Sequence, residues 1–236
     1  MSYSQYSVYI ICKPGEYESK INSLSHKPQV ASIKLIPAQY LNNNGIVLKD
    51  LLTRYNTKTD KIISKLGCIA SHRMALLAIY NNKTKNNIIL EADAQLIGDL
   101  PGPPDKSCYF GGWLGPTTFQ KKEPPIVIKP TNGMNEIHYD KFRVIMNHSL
   151  FIKTPEEAME ILQSTFIPKI RNYDIHFSNL QVVKYYYYPP VFVQGKHESE
   201  IDKKTNKNHE LSKNYGLKQI DPVSYTHLTL PTIYSV

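Results

Sequence analysis

Residues 86–96 read NNIILEADAQL. The apolar run Ile88-Ile89-Leu90 stops at Glu91, and Asp93 follows two places later. The run reads as a buried strand of five residues, 87–91. Two acids at the exit of such a strand are electrostatically costly unless water or a cation reaches them. Just before it lies the clearest helical pattern of the chain. It starts at the N-cap candidates Thr59-Asp60, carries Ile62, Leu66, Ile69, Leu76 and Tyr80 at helical spacing, and ends at Asn81-Asn82.

The order of elements upstream fits this helix–strand unit. Residues 7–12, SVYIIC, read as a buried strand closed by the turn Lys13-Pro14-Gly15. Residues 16–24 predict a short helix, and 30–36, VASIKLI, a second strand. Pro37 and Asn42-Asn43-Asn44-Gly45 mark loops. Strand, helix, strand, helix, strand predicts an α/β fold with a mostly parallel central sheet and crossover helices on its faces.

Downstream the signal weakens. Residues 98–133 are rich in Pro and Gly and read as loops with short strands at 107–111 and 126–129. HSLFIK, 148–153, predicts a strand, and Thr154-Pro155-Glu156-Glu157 a strong helix start. LQVVKYYYY, 180–188, is a strand candidate ending at Pro189-Pro190, with the four tyrosines expected to alternate between core and surface. Residues 1–200 are expected to form the functional domain and 201–236 a polar, loosely attached tail. The last stretch, PVSYTHLTLPT, resembles translated adaptor sequence, and no function is expected of it.

Composition bounds the partners. The chain has 236 residues, 41% hydrophobic, with a formal charge of +8. A coding bias toward Lys, Asn, Ile and Tyr accounts for that charge, because no dense basic block occurs; a nucleic-acid partner is not expected. No apolar run is long enough to span a membrane, though peripheral membrane contact stays open. MSYSQYSVYI lacks the pattern of a secretory signal. The three widely spaced cysteines, Cys12, Cys68 and Cys108, form neither a zinc-type pair nor a disulfide framework. The expected location is cytoplasmic, with reduced thiols.

Residues 64–77, SKLGCIASHRMALL, place Gly67 inside the long helix, where glycine costs about 1 kcal/mol relative to alanine. Gly67, Ala70 and Ser71 are small enough for a close helix–sheet approach. His72 reads equally as a packed helix histidine or as part of a site. Beyond the carboxyl ends of strands, where open α/β sheets bind ligands, Glu91 and Asp93 are candidate oxygen ligands for a hard divalent cation that holds a diphosphate.

GCIASH followed by the apolar strand and ILEAD resembles glycosyltransferase family 25, which includes lipo-oligosaccharide and procollagen galactosyltransferases. The family pattern is a GC-x-x-SH helix and an L-E-D-D strand end. Gly67, Cys68, Ser71 and His72 match the first; Leu90, Glu91 and Asp93 match the second, with Ala92 in place of the middle acid. The opening strand and turn, CYFGGWLG at 108–115, NHSLFIKTPEEAMEIL at 147–162, RNYDIHFSN at 171–179 and YYYYPPVFVQ at 185–194 extend the resemblance in order, without the usual arginine near the start.

The resemblance implies a GT-A-like fold and an inverting hexosyltransferase with a UDP-sugar donor, UDP-galactose or UDP-glucose, and a glycan or glycoprotein acceptor, as in lipopolysaccharide biosynthesis. It further implies Mn²⁺ or Mg²⁺ held by Asp93 with Glu91, and Asp174 as the base. Ser71 and His72 would lie beside the donor pocket. His148 would contact metal, phosphate or acceptor. Trp113 and Tyr185–Tyr188 would stack on a sugar or pack in the core. The rival expectations are a non-catalytic carbohydrate- or partner-binding protein on a degenerate transferase fold, and a basic, tyrosine-rich nucleic-acid binder.

Overall fold

A computed structural model describes residues 5–39, 59–116, 130–140, 142–145, 148–165 and 173–195. The expected loop at 42–45, the strand at 126–129 and the tail at 201–236 lie outside them. The elements run β1 (Tyr6–Cys12), α1 (Tyr17–Leu24), β2 (Val30–Pro37), α2 (Thr59–Asn82), β3 (Asn87–Glu91), β4 (Ala94–Leu96) and β5 (Cys108–Tyr109). They continue with β6 (Trp113–Pro116), β7 (Gly133–Glu136), β8 (Phe142–Ile145), β9 (Ser149–Ile152), α3 (Pro155–Ser164), α4 (Tyr173–Leu180), β10 (Tyr185–Tyr188) and β11 (Phe192–Gln194).

The main sheet has seven strands in the order β2-β1-β3-β9-β5-β10-β7. β1 pairs in parallel with both β2 and β3. β9 runs antiparallel to β3 and β5; β10 is parallel to β5 and β7 antiparallel to β10. Five strands therefore share one direction, and β9 and β7 oppose it. The sheet is mixed rather than plainly parallel. The apolar pattern of SLFI demands burial and is indifferent to direction, so β9 fits between β3 and β5 running against them. Two further pairs, β4 with β11 and β6 with β8, stand apart from the main sheet.

The connections explain where the helices go. The chain steps from β1 through α1 to β2 on one side of β1. It then returns through α2 to β3 on the other side. Right-handed crossovers in opposite directions put their helices on opposite faces. Accordingly Ile69, Leu76 and Ile79 of α2 pack with Ala158 and Ile161 of α3 and Phe177 of α4 over Tyr9, Ile11, Ile89 and Leu150. Leu24 of α1 packs on the other face with Val8, Ile10, Ile88 and Leu90, and with Phe110, Phe151 and Phe192. β1 and β3 are thus covered on both sides, which is why they read as unbroken apolar runs.

Local chemistry sets the ends. The Thr154 hydroxyl accepts a hydrogen bond from Glu157 N at 3.2 Å, and Pro155 and two acids occupy the first turn of α3. That is a capped helix start with charges matched to its dipole. Residues up to Leu180 belong to α4, so the strand expected over 180–188 begins only at Tyr185. All four tyrosines of β10 are half-buried. Tyr186 packs against the core under α2, and Tyr185 and Tyr187 against the opposite core. Among the described residues no helix is long and apolar enough to cross a membrane.

Candidate functional site

β1 is the strand at which the chain reverses its direction of travel across the sheet. A reversal of this kind opens a crevice at the carboxyl ends of the two strands concerned. Those ends are Ile11-Cys12 and Glu91, and Ile11 pairs with Glu91 in register. The acids singled out in the sequence stand at this crevice.

Glu91 belongs to the face covered by α2, as its neighbour-but-one Ile89 does. Its Oε1 lies 2.8 Å from His72 Nε2. A carboxylate oxygen only accepts, so the imidazole N–H donates. The Cys68 thiol approaches the same oxygen at 3.9 Å. Cys68 and His72 are one helical turn apart, on one side of α2. His72 is buried, whereas the Glu91 side chain is 30% exposed. The strand end is fixed from its other edge, where Glu91 N donates to His148 O at 3.0 Å.

Asp93 sits in the turn between β3 and β4 and has different partners. Its Oδ2 accepts from Gln194 Nε2 at 2.6 Å, and its carbonyl accepts from Gly195 N at 2.6 Å. The β4–β11 pairing, with Ala94 opposite Gln194, holds this latch in place. Glu91 and Asp93 are therefore two residues apart in sequence but served by opposite parts of the chain.

Asp174 lies in the first turn of α4, and its Oδ1 accepts from Ile175 N at 2.8 Å. It shares an electrostatic neighbourhood with the strand acids. Burial pushes the Cys68 thiol well up, and the charges of Glu91, Asp174 and Asp93 push it further in the same direction. Three carboxylates, from β3, the following turn and α4, thus act electrostatically on one thiol. Such a concentration of negative charge favours a cation or a proton in its midst.

The other expected residues are placed as follows. Ser71 is buried, donates to Gly67 O at 2.8 Å and accepts from Gln39 N at 2.8 Å. It ties α2 to the segment leaving β2. Gly67 completes that contact, since a Cβ there would collide with the Gln39 carbonyl oxygen. His148 is also buried, with Nε2 3.1 Å from Phe192 O and its ring against Gly111, where a Cβ would strike it. The structure thus brings Cys68, His72 and Glu91 into contact, with the charges of Asp93 and Asp174 felt at Cys68. It puts the hydroxyl of Ser71 and the ring of His148 into packing contacts beside them.

Gln194 escaped the sequence reading, and Cys68 entered it only through the GC-x-x-SH match, with no role at a site. Cys68 carried a usable signal: its spacing of four from His72 on a helix leading to an acidic strand end. Gln194 carried none, because it meets Asp93 across 101 residues of chain. Among the described residues, Cys68, His72 and Glu91 form the one group of three metal-type ligands whose donor atoms all lie within 4.8 Å of one another. Comparison with known proteins brings no matching family model and no matching curated protein.

Proposed function

We propose that the protein is a hexosyltransferase of GT-A-like fold that moves galactose or glucose from a UDP-sugar to a hydroxyl of a glycan or glycoprotein acceptor, with inversion. The observation that carries this reading is the acid Glu91 at the crevice where β1 and β3 end, followed two residues on by Asp93, with Asp174 adding to the same negative environment of Cys68. A nucleoside diphosphate leaving group needs its charge neutralised as the sugar departs. An oxygen-rich set of carboxylates suits a hard divalent ion, and Asp93, with Glu91 directly or through water, would hold Mn²⁺ or Mg²⁺ there. That ion supplies charge neutralisation at the departing diphosphate. Gln194 and Gly195 hold the Asp93 turn in position. Asp174 takes the proton of the acceptor hydroxyl as that oxygen attacks the anomeric carbon. Ser71, through Gln39, and His148, through the Glu91 backbone, act here by positioning.

The decisive experiment compares Asp93→Asn and Asp174→Asn with the parent chain. UDP release from UDP-galactose and UDP-glucose is measured with Mn²⁺ present, alongside UDP affinity. Asp93→Asn is expected to lose Mn²⁺-dependent donor binding. Asp174→Asn is expected to lose roughly 10²–10⁴-fold in transfer while UDP affinity stays close to parent. Parental turnover in Asp93→Asn would overturn the donor assignment, and equal losses in affinity and turnover would move Asp174 to the donor site.

One observation favours a second reading, a non-catalytic binding protein on the same framework. Each strand acid already has a donor from the chain itself, His72 for Glu91 and Gln194 for Asp93, and Ala92 has replaced an acid between them. Glycan binding without UDP release under any donor would select it.

A further inference from the structure

We propose that Cys68, His72 and Glu91 form a binding site for a thiophilic divalent transition metal of the zinc type, separate in chemistry from any hard cation at Asp93. One ligand comes from each class: a thiol sulfur, an imidazole nitrogen and a carboxylate oxygen. Sulfur with imidazole selects zinc-like ions, whereas magnesium and calcium prefer oxygen alone. The three donor atoms lie within 4.8 Å of one another, with 2.8 Å between His72 Nε2 and Glu91 Oε1 and 3.9 Å between Cys68 Sγ and Glu91 Oε1.

The two separations measured from Glu91 Oε1 are close to what one ion imposes. Bonds of about 2.3 Å to sulfur and about 2.0–2.1 Å to nitrogen and oxygen, in a tetrahedron, hold sulfur and oxygen about 3.6 Å apart and nitrogen and oxygen about 3.3 Å apart. The thiol has to approach by a few tenths of an ångström, and the imidazole has to back away by about half an ångström from hydrogen-bond contact. Both are rotamer-scale movements of side chains on α2 and β3. The backbones that carry them are fixed: α2 by the Gly67–Gln39 contact and the Ser71 bridge, and β3 by β1 and His148 O. Ligands on rigid elements need little reorganisation on binding.

Three protein ligands leave a fourth position, the arrangement of an open rather than a sealed zinc site. The exposure of Glu91 and its place at the crevice give that position access to solvent. Binding releases the thiol proton to water, and the His72 ring proton passes from Nε2 to Nδ1, so that thiolate, neutral imidazole and carboxylate bond to the metal. The proposal does not rest on the transferase reading. If it holds, Glu91 belongs to this set and Asp93 is left as the ligand for the hard ion.

The test is a Co²⁺ titration of the full chain after chelator treatment, read by absorption. The expected result is about one equivalent bound, with a thiolate-to-cobalt charge-transfer band in the near ultraviolet and the strong visible bands of four-coordinate cobalt. Zn²⁺ should displace it, and a large excess of Mg²⁺ should not. Cys68→Ser should remove the charge-transfer band and weaken binding on the order of 100-fold or more, the scale on which metal sites respond to altered ligation. His72→Gln, which keeps the thiol, should weaken binding comparably and guards against a folding defect in Cys68→Ser. A parent chain without the thiolate band, a band that survives Cys68→Ser, or unchanged Co²⁺ affinity in His72→Gln would each overturn the assignment. None of these readouts uses sugar transfer, so they stand apart from the fate of the donor site.

Discussion

The β2-β1-β3 half of the sheet and the β9-β5-β10-β7 half are held together by different means. In the first, long crossovers lay whole helices onto strands covered on both faces, and apolar contact supplies the cohesion. In the second, strands of two to four residues arrive from scattered parts of the chain. Here side chains pin backbone groups in addition to the apolar contacts of Tyr109, Leu150 and Phe151. Ser107 Oγ accepts from Lys153 N at 2.8 Å beside β5 and β9, Tyr139 OH donates to Val183 O at 2.5 Å beside β7 and β10, and, in the neighbouring β6–β8 pair, Ser178 Oγ accepts from Val144 N at 2.9 Å. The difference teaches where cost falls on mutation. Lost apolar volume is felt in proportion to the cavity left, whereas a lost pin costs mainly the desolvation of the group it abandons.

The largest effect should come from the crossover half. Leu76 is fully buried on the sheet-facing side of α2, and Leu76→Ala should destabilise by about 2–5 kcal/mol in urea unfolding. Gly67→Leu should cost about 1–3 kcal/mol by overpacking, because the obstacle is the Gln39 carbonyl rather than a movable side chain. Its thermal midpoint should fall accordingly.

The pins should give smaller losses. Ser178→Ala leaves the Val144 N–H without its acceptor, and a cost of about 1–3 kcal/mol is expected from the same urea measurement. Tyr139→Phe keeps the ring and removes a hydroxyl that bonds Val183 O and also engages Tyr109 and Ser178, so about 0.5–1.5 kcal/mol for each bond lost is expected. If Ser178→Ala proves as damaging as Leu76→Ala, the contrast between apolar packing and side-chain pins fails. If Tyr139→Phe is neutral while Ser178→Ala is not, the pins matter for the buried donor they satisfy rather than for the bond they make.

The same division governs what the sequence disclosed. β1, α1, β2, α2 and β3 were all legible because each is long enough for its period to repeat and each turn carries Pro, Gly or a cap. β9 and α3 were legible for the same reason: an apolar run and the Thr154-Pro155-Glu156-Glu157 start. β4, β6, β7, β8 and β11 were not anticipated. A strand of three or four residues presents too few positions for alternation to show, and its existence depends on a partner far away in the chain.

The site divides along that line as well. The sequence by itself determined that Glu91 and Asp93 leave a buried strand, and that Cys68 and His72 share one side of the helix before it. Helical and strand periods act over a few residues, and they fix these relations without help from the rest of the chain. The neighbours each acid receives come from the tertiary structure alone: His72 and Cys68 for Glu91, Gln194 from the far end of the domain for Asp93, with Asp174 adding its charge at Cys68. It also decided that β9 runs against β3, which brings His148 O to the Glu91 amide. Pairing direction and long-range contact are set by the burial of two faces at once, and no local pattern of residue types records them.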